Sequence, residues 1–405
     1  MIPSPAVPGF IAIGNADPIH GLANIDSVSH LPTKEFQLFH WGHPLVGQAG
    51  APGMIVLSRV RRDADGAVSS ARIADQLAAD PALLSQLLPP FGAVLADRDR
   101  VTLATDSLGF QQAFYANHQF GLLPSLSTSS LVLGNATAAR IDDTGVAVQS
   151  FLGWQLGQRT LFAGIEKLPP GATAFLGEPG VRIDAPRRMH RQQINLRQAV
   201  SDAAALLRRS LNALLDEHPD AVLQLTGGMD SRLLLSAIPV GRRRGLRAMT
   251  LRVPGSRDTE IAGSIAQRYG IEHEVHGLAD LRDLSAAESW DLCFADAVNL
   301  DAMSDPLALA AQRLAEKRFE QGVRISGLGG EIARGFYYHG RVRNRTYTRS
   351  DAERLASWRM FANEAVEPNL LTREFREWAH EVANKEVYNA LLEGGSEWFS
   401  ATDHL

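Results

Sequence analysis

The chain has 405 residues, more than one ordinary domain, and its 45% apolar and 21% charged residues suffice for two packed cores and exclude a disordered chain. A formal net charge of −5 excludes the broad basic field by which a protein binds nucleic acid or a membrane surface. One cysteine, Cys293, excludes an internal disulfide and a cysteine-built zinc site and fits a reducing cytoplasm; MIPSPAVPGF lacks the basic flank of a secretory signal, and no apolar run approaches membrane-spanning length.

From Phe10 to about Leu176, short segments rich in β-branched and aromatic residues alternate with turn signals. Strands are predicted at 36–41, 53–60, 92–97, 101–105 and 125–130, with Asp97 to Arg100 as a hairpin turn. Helical periodicity runs through 70–77, 81–88 and 144–153. This predicts an α+β domain on antiparallel sheet over residues 1–190, closed by Gly171 and Pro179-Gly180, with a boundary near 185–195. His40 and His43 flank Trp41-Gly42 without metal-like partners and read as packing residues.

Residues 191–405 change period. A long amphipathic helix is expected over 196–218. Strands at 221–225, 246–253, 272–278 and 323–326 then alternate with helices at 231–238, 258–269 and 306–321. Alternating β and α predicts an α/β domain with a parallel sheet covered on both faces, its ligands at the carboxyl ends of the strands. Arg242-Arg243-Arg244 reads as a solvated turn.

Two loops carry the chemistry. After the strand at 221–225 comes Thr226-Gly227-Gly228-Met229-Asp230-Ser231, then a helix. Adjacent glycines let backbone approach a ligand, the helix start favours an anion, and Asp230 beside it fits a divalent cation shared with phosphate. The hexapeptide alone also fits an ordinary strand-to-helix turn with a capping hydroxyl. A second loop, Ser326-Gly327-Leu328-Gly329-Gly330-Glu331, follows the strand at 323–326. Glu331 could share that cation with Asp230, or cap the following helix.

LTGGMDSR resembles the pyrophosphate-binding SGGxDS signature of the asparagine synthetase family, whose specialised relatives include β-lactam synthetases and lasso-peptide macrolactam synthetases. SGLGGE resembles that family's second Gly-rich loop, with glutamate where an aspartate is usual, and the Asp258-x-x-x-Ala262-x-x-x-Ala266 segment follows its pattern. GAVLADRDRVTLATDSLGFQQAFYA and TLFAGIEKLPPGA resemble the sheet core of its N-terminal amidotransferase (Ntn-type) domain. The resemblance spans roughly residues 36 to 340.

It implies an ATP-pyrophosphatase (PP-loop) domain that binds ATP and Mg2+, adenylates a carboxylate with release of pyrophosphate, and passes the acyl group to an amine. Thr226, Gly227, Gly228 and Ser231 would hold pyrophosphate, Asp230 and Glu331 the Mg2+, and Leu251, Ser326 and Gly327 the adenosine. Arg334 would meet pyrophosphate or a substrate carboxylate, or form a structural salt bridge.

Three positions depart from the pattern. Met1-Ile2 stands where glutamine-dependent members have a cysteine, so no glutaminase is expected. Leu328 replaces a glutamate or tyrosine that helps deprotonate the amine, leaving Tyr337, Tyr338 or His339 as the nearest polar choices. Of four lysines only Lys385 follows the second loop, outside the family's pattern for its C-terminal lysine, so a truncated chain or a remainder on a separate chain is expected.

The expected function is therefore an amide-forming ligase. The leading case is a macrolactam synthetase acting on a ribosomal precursor peptide beside a processing protease, without nucleic-acid or membrane partners. Another amide or β-lactam synthetase and an ammonia-dependent asparagine synthetase are alternatives, as is a non-catalytic ATP-binding sensor.

Overall fold

The computed structural model describes residues 8–14, 22, 28–32, 36–42, 53–57, 62–63, 66–97, 99–177, 179–184, 194–277, 284–304, 306, 314, 323–330, 335–337, 343–361 and 368–405. It is mixed α/β, with antiparallel sheets followed by a parallel one.

The N-terminal half stacks four layers. Strands β1 (Gly9–Gly14), β2 (Ser29–Pro32), β3 (Phe36–Trp41), β7 (Phe114–Ala116), β8 (Ser125–Ser127) and β9 (Ile165–Lys167) form a six-stranded sheet in the order β2-β3-β1-β8-β7-β9. β4 (Gly53–Val56), β5 (Gly92–Ala96), β6 (Val101–Thr105), β10 (Thr173–Gly177) and β11 (Gly180–Asp184) form a second sheet in the order β11-β10-β6-β5-β4. All neighbours in both sheets are antiparallel.

Side chains alternate faces along each strand, so one set packs between the sheets and the other outward. Phe10, Phe36, Leu38, Val94, Leu103 and Ala174 fill the space between them. Ile11, Trp41 and Phe114 face the other way, against Val132 and Leu133 of helix α2 (Ser130–Ala136). Met54, Ala93 and Ala104 of the second sheet pack against Ile73 and Leu77 of α1 (Ser70–Ala79).

Several boundaries differ from expectation. The strand expected to reach Ser130 stops at Ser127, because Ser129 leaves the sheet to cap α2, its hydroxyl accepting the Val132 N–H at 3.1 Å. The strand from Gly53 ends at Val56, and residues 58–60 lie outside the described set. The helix expected at 81–88 is a 3₁₀ turn, Pro81–Gln86. Pro179-Gly180 does not close the domain but turns a hairpin, pairing Gly177 with Gly180, so the sheet runs on to Asp184. Residues 185–193 of the expected boundary lie outside the described set, and Asn195 caps the next helix by accepting the Gln198 N–H at 2.8 Å.

That helix, α4 (Leu196–Glu217), leads into β12 (Val222–Gln224), α5 (Met229–Ala237), α6 (Val240–Arg243), β13 (Arg247–Arg252), α7 (Asp258–Tyr269), β14 (Glu272–Gly277), α8 (Ala286–Asn299) and β15 (Arg324–Ile325). The four strands are parallel, in the order β14-β13-β12-β15. Leu211 and Leu215 of α4, Leu235 of α5 and Ala262 and Ala266 of α7 pack with Leu223, Ala248 and Ile325 of the sheet. The helix expected at 306–321 lies outside the described residues apart from positions 306 and 314. Arg242 and Arg244 of the arginine triplet are exposed, as a solvated turn requires, but Arg243 is not. Arg243 is buried, donates to the carbonyls of Ile238 and Ser236 at 2.8 and 3.2 Å, and stacks over Tyr269.

The C-terminal helices α9 (Arg349–Leu355), α10 (Arg373–Gly394) and α11 (Trp398–His404) pack on the N-terminal half. Ala379, Ala383, Val387 and Leu391 recur every fourth residue on α10, giving one apolar stripe. It packs with Ala147, Val148, Phe151 and Leu152 of α3 (Asp143–Leu152), a helix of the N-terminal half.

A second seam follows α8. The Asp301 carboxylate accepts hydrogen bonds from the Ser129 hydroxyl and from the N–H groups of Ser130, at 2.6 Å, and Leu131, at 3.3 Å, capping α2 across 170 residues of sequence. Met303 meanwhile packs among Trp41, Phe114 and Leu133. Asp301 as a residue is partly exposed, yet its carboxylate is enclosed, and that burial pushes its pKa up to about 6 against the pull of the α2 bonds. Replacing Asp301 by alanine is expected to cost about 2 kcal/mol of unfolding free energy, measured in urea, by orphaning two amides. A raised folded-state pKa contributes stability below the unfolded value and loses it as pH rises through about 6. The stability of wild type relative to Asp301→Asn should therefore grow as pH falls from neutral toward 4, the ordinary carboxylate range.

Candidate active site

The strand order of the parallel sheet fixes where a ligand can enter. From β12 the chain moves through β13 to β14 on one side, then returns to place β15 on the other side of β12. The order therefore reverses between β12 and β15, and in open parallel sheets the crevice beyond the carboxyl ends at such a reversal is the binding position. Leu223 pairs with Ile325 there, and the two glycine loops leave the sheet side by side.

The first loop is held in shape by its own side chains. The Ser231 hydroxyl accepts the Thr226 N–H at 3.1 Å and lies 3.0 Å from the Thr226 hydroxyl, which in turn accepts the Gly228 N–H at 3.0 Å. The Gly227 N–H donates to Asp258 at 2.8 Å. Asp258 opens α7 and is itself fixed by the Ser256 hydroxyl at 2.8 Å. Below the loop, the Thr250 hydroxyl donates to the Leu225 carbonyl at 2.6 Å, tying the end of β12 to β13. A Cβ on Gly227 would fall 2.8 Å from the end of the Ile261 side chain and 2.9 Å from the Asp258 carboxylate, so both would have to shift.

The second loop lies directly on the first. A Cβ on Gly327 would sit 2.8 Å from the Ser231 backbone nitrogen, and one on Gly330 would sit 2.5 Å from the carboxylate carbon of Asp230. Glycine at both positions lets this backbone reach the first turn of α5, where Asp230 stands half-buried. Ser326 holds its own loop by accepting the Leu328 N–H at 3.2 Å, and Leu328 is 90% exposed.

Of the residues expected to act, Thr226, Gly227, Gly228, Asp230, Ser231, Ser326 and Gly327 are thus gathered at one crevice, and Leu251 lies near the carboxyl end of the adjoining β13. Glu331 follows Gly330 directly in the chain but lies outside the described residues, as do Arg334, Tyr338 and His339. Tyr337 is half-buried against the C-terminal helices, which pushes its hydroxyl pKa up. His40 is buried in β3, as its packing role requires, and His43 lies outside the described residues. Lys385 is exposed on α10.

The crevice fits the ligand that its sequence implies. Gly228, the residue before α5, brings no side chain to cap that helix, and the second loop approaches the Ser231 nitrogen of its first turn; an uncapped helix start is where a phosphate group binds favourably. A carboxylate at the same place suits magnesium, which takes one or two carboxylates together with phosphate oxygens. Asp258 is the residue whose role in the site went unassigned in the sequence. It occurs there only within a helical pattern, 31 residues from the amide it holds.

No family model and no curated protein matches the chain. Solved structures similar over part of it include two enzymes. One is a glutamine phosphoribosylpyrophosphate amidotransferase from B. subtilis complexed with ADP and GMP, 8% identical, covering 66% of this chain and 74% of its own, at a TM-score of 0.27. The other is described as the allosteric regulatory enzyme of purine biosynthesis, 9% identical, with the same coverage and a TM-score of 0.28. Likenesses this distant carry no argument about the chemistry of the site. Among the described residues, no helix is long and apolar enough to cross a membrane.

A hydrogen bond to a charged acceptor contributes about 1.5–3 kcal/mol, and a half-exposed one falls at the low end. Asp258→Ala is accordingly expected to lower stability by about 1.5 kcal/mol and to speed hydrogen exchange of the Gly227 amide more than that of its neighbours. Unchanged exchange at Gly227, read by NMR, would contradict this bond.

Proposed function

We propose that the chain is an ATP-dependent, AMP- and pyrophosphate-forming ligase that couples a carboxylate to an amine. The observation that carries this reading is the contact of two glycine loops at the strand-order reversal of a parallel sheet, with Asp230 between them. In this reading the loop Thr226-Gly227-Gly228 and Ser231 cradle the pyrophosphate end of ATP. The bonds to Ser231, Asp258 and Thr226 occupy the loop amides and fix the loop's shape, so the pyrophosphate would be met by the Thr226 and Ser231 hydroxyls and the start of α5, held in place before substrate arrives.

Asp230 and Glu331 would hold Mg2+, which supplies positive charge against the departing pyrophosphate. Leu251, Ser326 and Gly327 would bound the adenosine, and Arg334, the next basic residue after Glu331, would meet pyrophosphate or the substrate carboxylate. The substrate carboxylate attacks the α-phosphorus and pyrophosphate leaves. The amine then attacks the acyl carbon and AMP leaves, giving an amide.

The four-layer N-terminal half fits the amidotransferase-like (Ntn-type) domain implied by the resemblance, and 1–190 and 191–405 are the proposed domains. Cys293, the one cysteine, sits on α8, far along the chain from that half, which favours an amine carried by an organic substrate. The specific case proposed is a cytoplasmic lasso-peptide-type macrolactam synthetase that closes a ribosomal precursor peptide after a protease has processed it. This choice rests on the family analogy.

Pyrophosphate release with ATP, Mg2+ and a panel of carboxylates tests the reading. Release should depend on both the metal and one class of carboxylate, and Asp230→Ala should lower it at least about a hundredfold while the melting curve stays in place. Nucleotide binding without release on any carboxylate would instead favour a non-catalytic ATP sensor.

A further inference from the structure

A cavity of about 510 Å3 opens between the N-terminal half and α10, away from the glycine loops. Its volume is in the range of small-molecule sites, which concentrate where domains meet. One wall is the turn from Leu156 to Glu166; the other is a single face of α10, since Glu386, Asn389, Ala390 and Glu393 are spaced by three or four residues.

The lining has a definite charge. Arg159 is committed, donating to Asp142 at 2.7 Å and to Glu386 at 3.0 Å, so this triad already carries an uncompensated negative charge. Glu166, whose carboxylate accepts the Tyr115 hydroxyl, also lines the cavity. Glu393 adds another carboxylate at the rim, 68% exposed and 3.4 Å from His404. Against this negative lining stand apolar surfaces: Phe162, Leu156 and Phe120, whose ring is held out by a backbone in the left-handed region and is 65% exposed. Aromatic faces beside carboxylates favour a cation, by ring quadrupole and by charge.

We propose that this cavity binds an organic cation, a protonated amine on an apolar stem, with the stem against Phe120 and Phe162 and the ammonium toward Glu166 and Glu393. The proposal stands apart from the ligase reading, because it uses no residue of the glycine loops. An occupant would touch both the N-terminal half and α10, and would therefore strengthen the seam that Arg159 and Glu386 now hold.

Titration of the full chain with phenethylammonium, phenylacetate and 2-phenylethanol, followed by calorimetry or ligand-observed NMR, tests it. The three probes share a body and differ in charge. The ammonium should bind about tenfold or more tightly than either of the others, the ratio that one favourable charge interaction gives. Glu393 is exposed, so Glu393→Gln leaves the fold intact and should weaken ammonium binding severalfold, while Phe120→Ala weakens all three probes. Equal or tighter binding of phenylacetate would overturn the proposal. So would no ammonium binding at millimolar concentration, or ammonium binding unchanged in both variants.

Discussion

The site depends on a close approach that only glycine permits. Gly327 and Gly330 bring the loop after β15 against the first turn of α5 so closely that a single added carbon would overlap the Ser231 nitrogen or the Asp230 carboxylate. That contact turns two separate strand ends into one crevice. It also sets Asp230 beside Gly330, the residue that precedes Glu331 in the chain. The parallel pairing of β12 with β15 makes the approach possible, and the hydrogen bonds of Thr226, Ser231 and Asp258 hold the first loop in shape.

Around this crevice the molecule is held by contacts far apart in sequence. Asp301 caps α2 from the segment after α8, and Arg159 reaches Glu386 across 227 residues. The apolar stripe of α10 packs on α3. The C-terminal helices are therefore fastened to the N-terminal half through an apolar core as well as an ion pair. The enclosed Asp301 carboxylate makes one of these seams responsive to pH, and the cavity beside Arg159 makes another open to a ligand.

Much of the parallel-sheet half was legible in the sequence, because buried parallel strands read as apolar runs and each loop at the crevice announces itself by adjacent glycines. The elements expected from 196 to 278 lie within a residue or two of those observed. The antiparallel half was harder to read. Gly9–Gly14 is a continuous apolar run without alternation, since β1 is buried on both faces between neighbours and layers, and no strand was predicted there. Ser129 reads as strand by its neighbours but acts as a cap. Arg243 sits in a run of arginines whose local pattern says solvent, and only the fold supplies the carbonyls and the Tyr269 ring that bury it. The α10 stripe could have been read from its spacing, whereas the partners of Arg159 and Asp301 could not, because nothing local encodes a contact across such separations.

Binding of Mn2+ with ATP, followed by the electron paramagnetic resonance of the ion, tests the shared crevice most directly. In the wild-type chain, ATP should recruit Mn2+ to a protein site, and Gly330→Ala, whose new methyl would occupy the place of the Asp230 carboxylate, should abolish that signal while leaving the fold intact. A Gly330→Ala variant that binds Mn2+ and ATP as the wild type does would show that the two loops do not share an ion, and the account would fail.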